Sequence, residues 1–359
     1  MDRAPAGCGR VRMRNMGKRR RIRHWTSGSF YLAVATLGLP AAEPKKILVT
    51  GLAPEQVAEL QAAGPEARIV PVSAKDMVAH VADADAVIGT ITPEAVRAGK
   101  RLKWVQVASA GVERYLHLGP PELRTSDIVL TNCKIIQGPQ IADHAFALLL
   151  ALTRGVAHYR DVQKQEEWVR GGPPLIELRD KTAVIVGVGG IGMQIAVRAK
   201  AFGMKVIGVD PEDFPYVPHV DEWVRPDRLD AALPRADVLF LTAPHTPASH
   251  QMIGPRQFEL LKRGAFFIAV SRGQLFDGDA LVRALDSRHL AGAGLDVTNP
   301  EPLPKGHPLW KFPNVVITPH VAGGSDAVGR RRLELYKENL RRFLAGEPLL
   351  NVVDKQKGY

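Results

Sequence analysis

The sequence TAVIVGVGGIGM at residues 182–193 decides the fold, together with KVIGVD at residues 205–210. Ala183–Val188 is a short, largely β-branched apolar run, which is typical of a strand buried on both faces. A second such run, Lys205–Val209, ends in Asp210. Between the two strands, three glycines follow the G-x-G-x-x-G spacing: Gly187, Gly189 and Gly192. This combination predicts a dinucleotide-binding strand–turn–helix unit.

Each part of this unit has a chemical reason. The first glycine permits the tight turn, the second lets backbone approach a pyrophosphate, and the third allows close helix packing. The helix that begins there directs N–H groups and the positive end of its dipole at the phosphates. Asp210 is placed to hold the adenosine ribose. Because Asp210, Glu212 and Asp213 would repel the extra phosphate of NADP, the predicted cofactor is NAD.

Composition is that of a globular enzyme, with 45% hydrophobic and 24% charged residues among 359. The net charge of +11 is concentrated near the start, where residues 1–25 hold nine Arg or Lys and one Asp. The basicity therefore belongs to this segment and not to a nucleic-acid-binding face, so we predict no nucleic-acid partner. The two cysteines, Cys8 and Cys133, suggest neither a disulfide framework nor a metal site. No apolar stretch is long enough to span a bilayer.

Residues 1–44 have the layout of a leader. A basic segment precedes an apolar run, Phe30–Leu39, and then a Pro/Ala-rich stretch, as in secretory signals. Translation from Met16 would give a signal of ordinary length in residues 16–42. The alternative is an unstructured extension of a cytoplasmic protein, and cytoplasmic is the predicted location.

From Lys45 onward, strand and helix patterns alternate, which predicts parallel sheets covered on both faces. The predicted helices include Pro54–Ala63 and Ser325–Ala345. The predicted strands are Ile47–Thr50, Arg68–Val72, Ala86–Gly89, Leu102–Val107, Ile128–Asn132, Val238–Thr242, Ala265–Val270, Gly292–Val297 and Val315–Thr318. Pro139–Arg160 is predicted as one long helix. Its apolar surface is larger than packing against one face of a sheet would bury, so we expect a homodimer through the 139–160 region.

Three polar side chains follow predicted strands of the dinucleotide unit. Arg272 comes after one strand, Glu301 follows the next, and His320 follows the last. Because ligands of open α/β sheets bind beyond the carboxyl ends of the strands, these groups can converge on one cleft. Arg272 would bind a carboxylate and carbonyl oxygen, His320 would protonate that oxygen as hydride arrives, and Glu301 would orient the imidazole. The three residues therefore predict reduction of a 2-keto acid.

From about Lys45 to Val353, the chain resembles the D-isomer-specific 2-hydroxyacid dehydrogenase family. The matching stretches are Asp180–Gly192, Ala236–Pro247, Ser271–Val297, Asn299–Pro304, His307–Trp310 and Pro319–Gly323. The resemblance implies Arg272, Glu301 and His320 as the catalytic residues. It also implies that the backbone of Ser109–Val112, with Ala110 and Gly111, binds the substrate carboxylate.

Further cofactor contacts are implied only by this resemblance. Gly190 and Ile191 would meet the pyrophosphate, Asp296 would meet the nicotinamide amide, and Pro244 and Val270 would line the cofactor site. In two places the chain departs from the family pattern. His245 stands where many relatives have Leu. It lies near the expected cofactor site, and a packing role is expected for it, with contact to the cofactor as the alternative. Lys134–Gln137 differs from the usual run, which leaves that wall of the cleft undefined.

The expected architecture is two Rossmann- or flavodoxin-like domains, with the dinucleotide domain (140–321) inserted into the substrate domain (45–139 and 322–353). The expected function is NAD-dependent, reversible hydride transfer to a small 2-keto acid such as glyoxylate, hydroxypyruvate or a pyruvate-like acid, giving the D-2-hydroxy acid. The alternative is a non-enzymatic NADH-sensing scaffold, because the family also resembles transcriptional corepressors with the same three residues.

Overall fold

The structure, a computed structural model, describes residues 43–212 and 217–359. Nearly all of the predicted leader, Cys8 and Asp213 therefore lie outside the described residues. Within the described ranges, two parallel sheets organise the chain, one of five strands and one of seven. This confirms the predicted fold class.

The five-stranded sheet has the order β2-β1-β3-β4-β5. Its strands are β1 (Lys46–Val49), β2 (Arg68–Pro71), β3 (Ala86–Ile88), β4 (Trp104–Gln106) and β5 (Val129–Thr131). The helices along this part of the chain are α1 (Pro54–Ala63), α2 (Met77–His80), α3 (Pro93–Ala98), α4 (Glu113–Leu116) and α5 (Glu122–Thr125). This strand order is flavodoxin-like, with the reversal of direction between β1 and β3.

The seven-stranded sheet has the order β12-β11-β10-β9-β6-β7-β8 and is parallel throughout. Its strands are β6 (Thr182–Val186), β7 (Lys205–Val209), β8 (Glu222–Val224), β9 (Val238–Leu241), β10 (Ala265–Ala269), β11 (Leu290–Leu295) and β12 (Val315–Ile317). This is the Rossmann order with one strand added, and its switch point lies between β6 and β9.

Helices cover both faces of the larger sheet. The covering helices are α6 (Gly138–Thr153), α8 (Gly190–Ala201), α9 (Leu229–Ala232), α10 (Pro255–Leu260) and α11 (Gly278–Asp286), whereas α7 (Val156–Lys164) follows α6 and buries none of its residues. Short 3-10 helices lie at Pro226–Arg228, Leu233–Arg235, Gly273–Leu275 and Pro308–Lys311. One core packs α6 and α8 on the sheet, and a second core packs α9, α10 and α11 on its other face. The strands are almost wholly apolar because both faces are buried.

The chain returns to the five-stranded sheet after β12. The last helix, α12 (Val328–Ala345), buries Tyr336 and Leu340 in the same core as Ile47 and Trp104. Its Phe343 ring lies 5.2 Å from the Trp104 ring. The seven-stranded domain is thus inserted between two parts of the other domain. The exact residue limits given above for the two domains stay predictions.

The structure corrects the long helix predicted at Pro139–Arg160. This segment forms two helices, α6 and α7, because Gly155 adopts a left-handed conformation with φ of 65° between them. A glycine in this conformation is a common helix terminator, so the signal was present in the sequence. Most of the apolar surface of α6 is buried within its own chain, which removes part of the argument for a dimer.

Smaller corrections concern element ends. The last helix begins at Val328 rather than Ser325. Most predicted strands extend one or two residues too far, and at Val107, Val270 and Val297 the extra residue is apolar and buried like the strand before it. The first strand of the dinucleotide unit ends at Val186 because Gly187 turns the chain with φ of 91°. Asp296 correspondingly lies just beyond β11 and not within it. The short strand β8 was not predicted.

Candidate active site

The glycine turn after β6 has the geometry that a dinucleotide requires. A Cβ atom on Gly187 would lie 2.5 Å from the Ala243 backbone at the end of the neighbouring β9 loop. A Cβ on Gly192 would collide with the Gly187 carbonyl oxygen, whereas one on Gly189 would meet nothing within 4 Å. Two glycines are therefore needed for close packing, and the third leaves open space at the start of α8. This fits a pyrophosphate held on backbone N–H groups.

Asp210 lies at the end of β7, beside this turn. It is 8% exposed, and its carboxylate accepts hydrogen bonds from the N–H groups of Val188 (2.7 Å) and Glu212 (2.9 Å). These contacts fix the carboxylate against the glycine turn. Each carboxylate oxygen can accept more than one bond, so the arrangement is compatible with the predicted contact to a ribose hydroxyl.

The linker between the domains forms another wall of this site. A Cβ on Gly190 would come within 2.5 Å of the Ile135 Cα, so residues 134–137 pack directly on the glycine turn. Ile135 itself has φ of 79° and is 62% exposed. The structure thereby defines the wall that the sequence left open. Predicted cofactor contacts Ile191, Pro244 and Val270 lie at the same sheet edge, in the first turn of α8 and at the ends of β9 and β10, and their roles stay predictions.

The three predicted catalytic residues follow three adjacent parallel strands. Arg272 follows β10, Glu301 follows β11, and His320 follows β12. The loops are packed closely together, because a Cβ on Gly273 would collide with the Thr298 carbonyl. The structure thus brings the three side chains to one edge of one sheet.

His320 and Glu301 form a direct pair. The imidazole Nδ1 lies 2.7 Å from Glu301 Oε1, and the two side chains are 39% and 40% exposed. Because an ionised carboxylate can only accept, Nδ1 carries the shared proton, which leaves Nε2 to exchange a proton with a ligand. The backbone of His320 is left-handed, with φ of 54°.

Asp296 holds the His320 turn in place. It is 1% exposed, and its Oδ1 accepts hydrogen bonds from the Thr318 hydroxyl (2.6 Å) and the Val321 N–H (2.9 Å). Its Oδ2 accepts a bond from the Ala322 N–H at 2.9 Å. In addition, His144 on α6 contacts Thr318 at 2.8 Å. Both oxygens of the Asp296 carboxylate thus accept hydrogen bonds from the turn that carries His320. The contact between Asp296 and the nicotinamide amide, which the family resemblance implies, stays a prediction.

Arg272 has a partner that the sequence analysis missed. Its Nε donates to Glu113 Oε1 at 2.6 Å, and Nη1 donates to the Ser271 carbonyl at 2.7 Å. Burial raises the pKa of the Glu113 carboxyl, but the charge and hydrogen bond of Arg272 outweigh it and hold that pKa below its ordinary range. Glu113 is the first residue of α4, so this pair joins the two domains. The sequence offered one indication of this pair, since Glu113 is an acidic residue directly after the predicted substrate loop Ser109–Val112.

The predicted substrate loop lies against Arg272. A Cβ on Gly111 would collide with the guanidinium group, so a larger residue there would displace Arg272 from its present position. The loop is held through its carbonyl oxygens: Ser109 accepts from the Cys133 N–H, Ala110 from the Asn132 amide, and Gly111 from the Ser109 hydroxyl. This is compatible with use of its N–H groups for a substrate carboxylate.

His245 lies in the same interdomain region. It is 5% exposed, its Nε2 lies 3.2 Å from His250 Nδ1, and its ring centre lies 5.6 Å from that of His117. Burial and the two neighbouring histidines lower the pKa of His245. A neutral His245 adds no positive charge beside Arg272, in keeping with the expected packing role.

Within residues 43–212 and 217–359, no group of three or more His, Cys, Asp or Glu side chains is arranged to hold a metal ion. In the same ranges, none of the helices has the length and apolar character for crossing a bilayer.

Comparison with known proteins places the chain in a family. The family model described as D-isomer specific 2-hydroxyacid dehydrogenase, NAD binding domain, matches residues 146–322. A glyoxylate reductase of Korarchaeum cryptofilum is 34% identical over 80% of this chain and 87% of its own length. The chain belongs to the D-isomer specific 2-hydroxyacid dehydrogenase family. It is accordingly an oxidoreductase with an NAD-binding domain, and the resemblance found in the sequence is confirmed.

Solved structures agree with this assignment. A D-isomer specific 2-hydroxyacid dehydrogenase family protein from Aeromonas salmonicida is 30% identical, with a TM-score of 0.75 over 88% of this chain and 100% of its own. An NADPH-dependent glyoxylate/hydroxypyruvate reductase from Sinorhizobium meliloti, solved with NADP and sulfate, is 29% identical, with a TM-score of 0.75 and the same coverage. The relative from Sinorhizobium meliloti is thus an NADPH-dependent enzyme, although the family model is described as an NAD-binding domain.

Proposed function

We propose that this 2-hydroxyacid dehydrogenase uses NAD and reversibly converts a small 2-keto acid, such as glyoxylate or hydroxypyruvate, into its D-2-hydroxy acid. The observation that carries the proposal is that a guanidinium and an imidazole–carboxylate pair follow three adjacent parallel strands, with a glycine-containing loop lying against the guanidinium. The curated relatives include glyoxylate reductases and a hydroxypyruvate reductase, which supports a short substrate.

The residues of this chain supply binding and proton transfer. The loop at Ala110 and Gly111 and the guanidinium of Arg272 hold the substrate carboxylate, and Arg272 also polarises the keto oxygen. When bound, the nicotinamide supplies the hydride that adds to the carbonyl carbon. His320 gives its Nε2 proton to the carbonyl oxygen, which completes the hydroxyl group. Glu301 keeps the ring oriented and stabilises the imidazolium, which is the proton donor in the reduction and is formed again in the reverse reaction.

NAD is the proposed cofactor because Asp210 is fixed beside the glycine turn, where a carboxylate binds a free ribose 2′-hydroxyl and repels a 2′-phosphate. The test is a panel of short 2-keto acids assayed with NADH and with NADPH, followed by chiral analysis of the product. We expect oxidation of NADH and a D-configured product. If NADH binds but no acid in the panel is reduced, the enzymatic proposal fails and the sensing-scaffold alternative takes its place.

We further propose a homodimer, supported by the region around α7. Beyond the end of this helix, Trp168 is 93% exposed and Leu175 is 51% exposed, and Val156 in its first turn is 56% exposed. Large apolar side chains exposed together are typical of a subunit interface. Light scattering should give twice the monomer mass, and Trp168→Ser should weaken the dimer. A monomer at all protein concentrations would refute the proposal.

The predicted cytoplasmic location rests on the sequence alone. Mass spectrometry of the native N-terminus would test it, since export through residues 16–42 would leave a shortened chain.

A further inference from the structure

Residues 354–359 lie between the two domains, next to the proposed cofactor site. On one side they follow Val353, which is buried in the five-stranded domain and whose N–H donates to the Leu130 carbonyl at 2.9 Å. Lys355 Nζ donates to the Ser126 carbonyl of the same domain at 2.6 Å. On the other side, a Cβ on Gly358 would lie 3.4 Å from Thr246 of the seven-stranded domain. We refer to residues 354–359 as the C-terminal strap.

The strap has a defined shape of its own. The Asp354 N–H donates to the Tyr359 carbonyl at 3.0 Å, and the Gly358 N–H donates to the Asp354 carbonyl at 2.8 Å. The Asp354 carboxylate accepts from the N–H groups of Gln356 (2.9 Å) and Lys357 (3.0 Å). Gly358 permits this turn through its φ of 87°. The side chains of Lys357 and Tyr359 are therefore presented from a closed turn.

Both of these side chains bind Glu212. Lys357 Nζ lies 2.6 Å from Glu212 Oε1, and the Tyr359 hydroxyl donates to the same oxygen at 2.9 Å. These hydrogen bonds lower the pKa of the Glu212 carboxyl. Glu212 is adjacent to the ribose-binding carboxylate, since its own N–H donates to Asp210 Oδ1. The second acidic group of the proposed NAD-selective site is thus paired with a cation from the strap.

Other charges reach the same carboxylate. Lys134, in the linker wall of the cofactor site, interacts electrostatically with Glu212, and its Nζ donates to the Val352 carbonyl just before the strap. Arg225 also interacts with Glu212. Glu212 therefore contributes less repulsion toward a phosphate than its formal charge implies, which changes the sequence-based argument that Asp210 and Glu212 repel NADP together.

We propose that Lys357 and Tyr359 are positioning residues that set the choice between NAD and NADP, by neutralising and fixing Glu212 beside the adenosine ribose. This inference rests on the proposed dehydrogenase function. Asp210 alone then provides the selection for a 2′-hydroxyl, and the paired Glu212 leaves a residual affinity for a 2′-phosphate. Loss of the Lys357 charge would free the Glu212 carboxylate and make the site more selective for NAD.

The experiment measures equilibrium binding of NADH and NADPH by nicotinamide fluorescence, without any substrate. We expect Lys357→Met to raise the ratio of the NADPH Kd to the NADH Kd by about two- to fivefold, as for a solvent-accessible charge. Tyr359→Phe should change it in the same direction by less. Glu212→Gln should lower the ratio. The matched control is Lys355→Met, which removes a strap lysine bound to the other domain and should leave the ratio unchanged.

The route through Glu212 has its own test. In a Glu212→Gln background, Lys357→Met should change the ratio much less than it does in the wild type, since the carboxylate it neutralises is gone. Two results would overturn the inference and leave the dehydrogenase proposal intact. One is that Lys357→Met and Lys355→Met give the same ratio of the NADPH Kd to the NADH Kd. The other is that Lys357→Met changes this ratio as much in the Glu212→Gln background as in the wild type. A wild-type protein that binds neither dinucleotide would overturn both.

Discussion

Two ion pairs border the proposed cleft, and they differ in where their partners come from. His320 and Glu301 both belong to the seven-stranded domain, and their side chains are 39% and 40% exposed. Arg272 and Glu113 come from different domains, and their side chains are 26% and 16% exposed. The first pair exists whatever the arrangement of the domains, whereas the second requires the two domains to be together. The proposed proton transfer would therefore use residues of one domain only, whereas the proposed binding of the substrate anion would depend on both domains.

The largest expected effect concerns the single-domain pair. His320→Ala should lower kcat by about 10²- to 10⁴-fold, because the proton donor is lost. Affinity for NADH should be almost unchanged, since the glycine turn is intact. Steady-state kinetics and fluorescence binding measure the two quantities. His80→Ala, at an exposed histidine that ends α2, is the control. Equal losses in turnover and NADH binding would contradict the proton-donor role.

Arg272→Lys should give the next largest effect. The flat guanidinium that contacts both Glu113 and the anion loop would be replaced by a point charge, so kcat/KM for the keto acid should fall by about a hundredfold. Most of this loss should be in KM. The same kcat/KM as the wild type would show that the planar group is not used.

Glu113→Gln tests the interdomain half of the comparison. It replaces a charge-assisted bond to Arg272 by a neutral one, and KM for the keto acid should rise by about tenfold. Hydrogen exchange should quicken in residues 109–116. Glu301→Gln is the matched control, because it should lower kcat without changing that exchange. If Glu301→Gln also quickened hydrogen exchange in residues 109–116, the two ion pairs would not differ in their dependence on the domain arrangement.

Acid pH should act on the same contact. Arg272 holds the pKa of Glu113 below its ordinary value of 4.5, so the pairing is complete above that pH and is lost as the pH falls through the lowered pKa. At neutral pH, residues 109–116 should therefore exchange hydrogen more slowly in the wild type than in Glu113→Gln. This difference between the two proteins should disappear as the pH falls.

The smallest effect is expected far from both pairs. Asp210→Ala should narrow the preference for NADH over NADPH by about tenfold or less, because one charge–hydroxyl interaction is removed. Binding titrations with both dinucleotides measure it. An unchanged preference would contradict the ribose role of Asp210.

The same comparison explains what could be predicted from the sequence. The glycine turn, Asp210 and the strand-end positions of Arg272, Glu301 and His320 follow from local patterns, because the parallel sheet brings strand ends together. The fold class follows from the alternation of short apolar runs and helices. These features depend on residues that are near one another in sequence or on neighbouring strands.

The features that were not predicted from the sequence depend on contacts between residues far apart in the chain or on local backbone detail. Glu113 and Arg272 are 159 residues apart, and no spacing rule pairs them. Lys357 and Glu212 are likewise joined only by the folded chain. Strand β8 has half-buried residues throughout and no apolar run to reveal it. By contrast, the break between α6 and α7 could have been predicted from Gly155, whose conformation favours helix ends.

The insertion of one domain into the other has a consequence for synthesis of the protein. One face of the five-stranded sheet is covered by Leu335, Tyr336 and Leu340 of α12, which leave the ribosome long after the strands that they cover. Until then, Ile47, Trp104 and their neighbours lack the helix that shields them from solvent. The nascent chain thus exposes part of this apolar surface while the entire seven-stranded domain is made, and surface of this kind is prone to aggregation until it is covered.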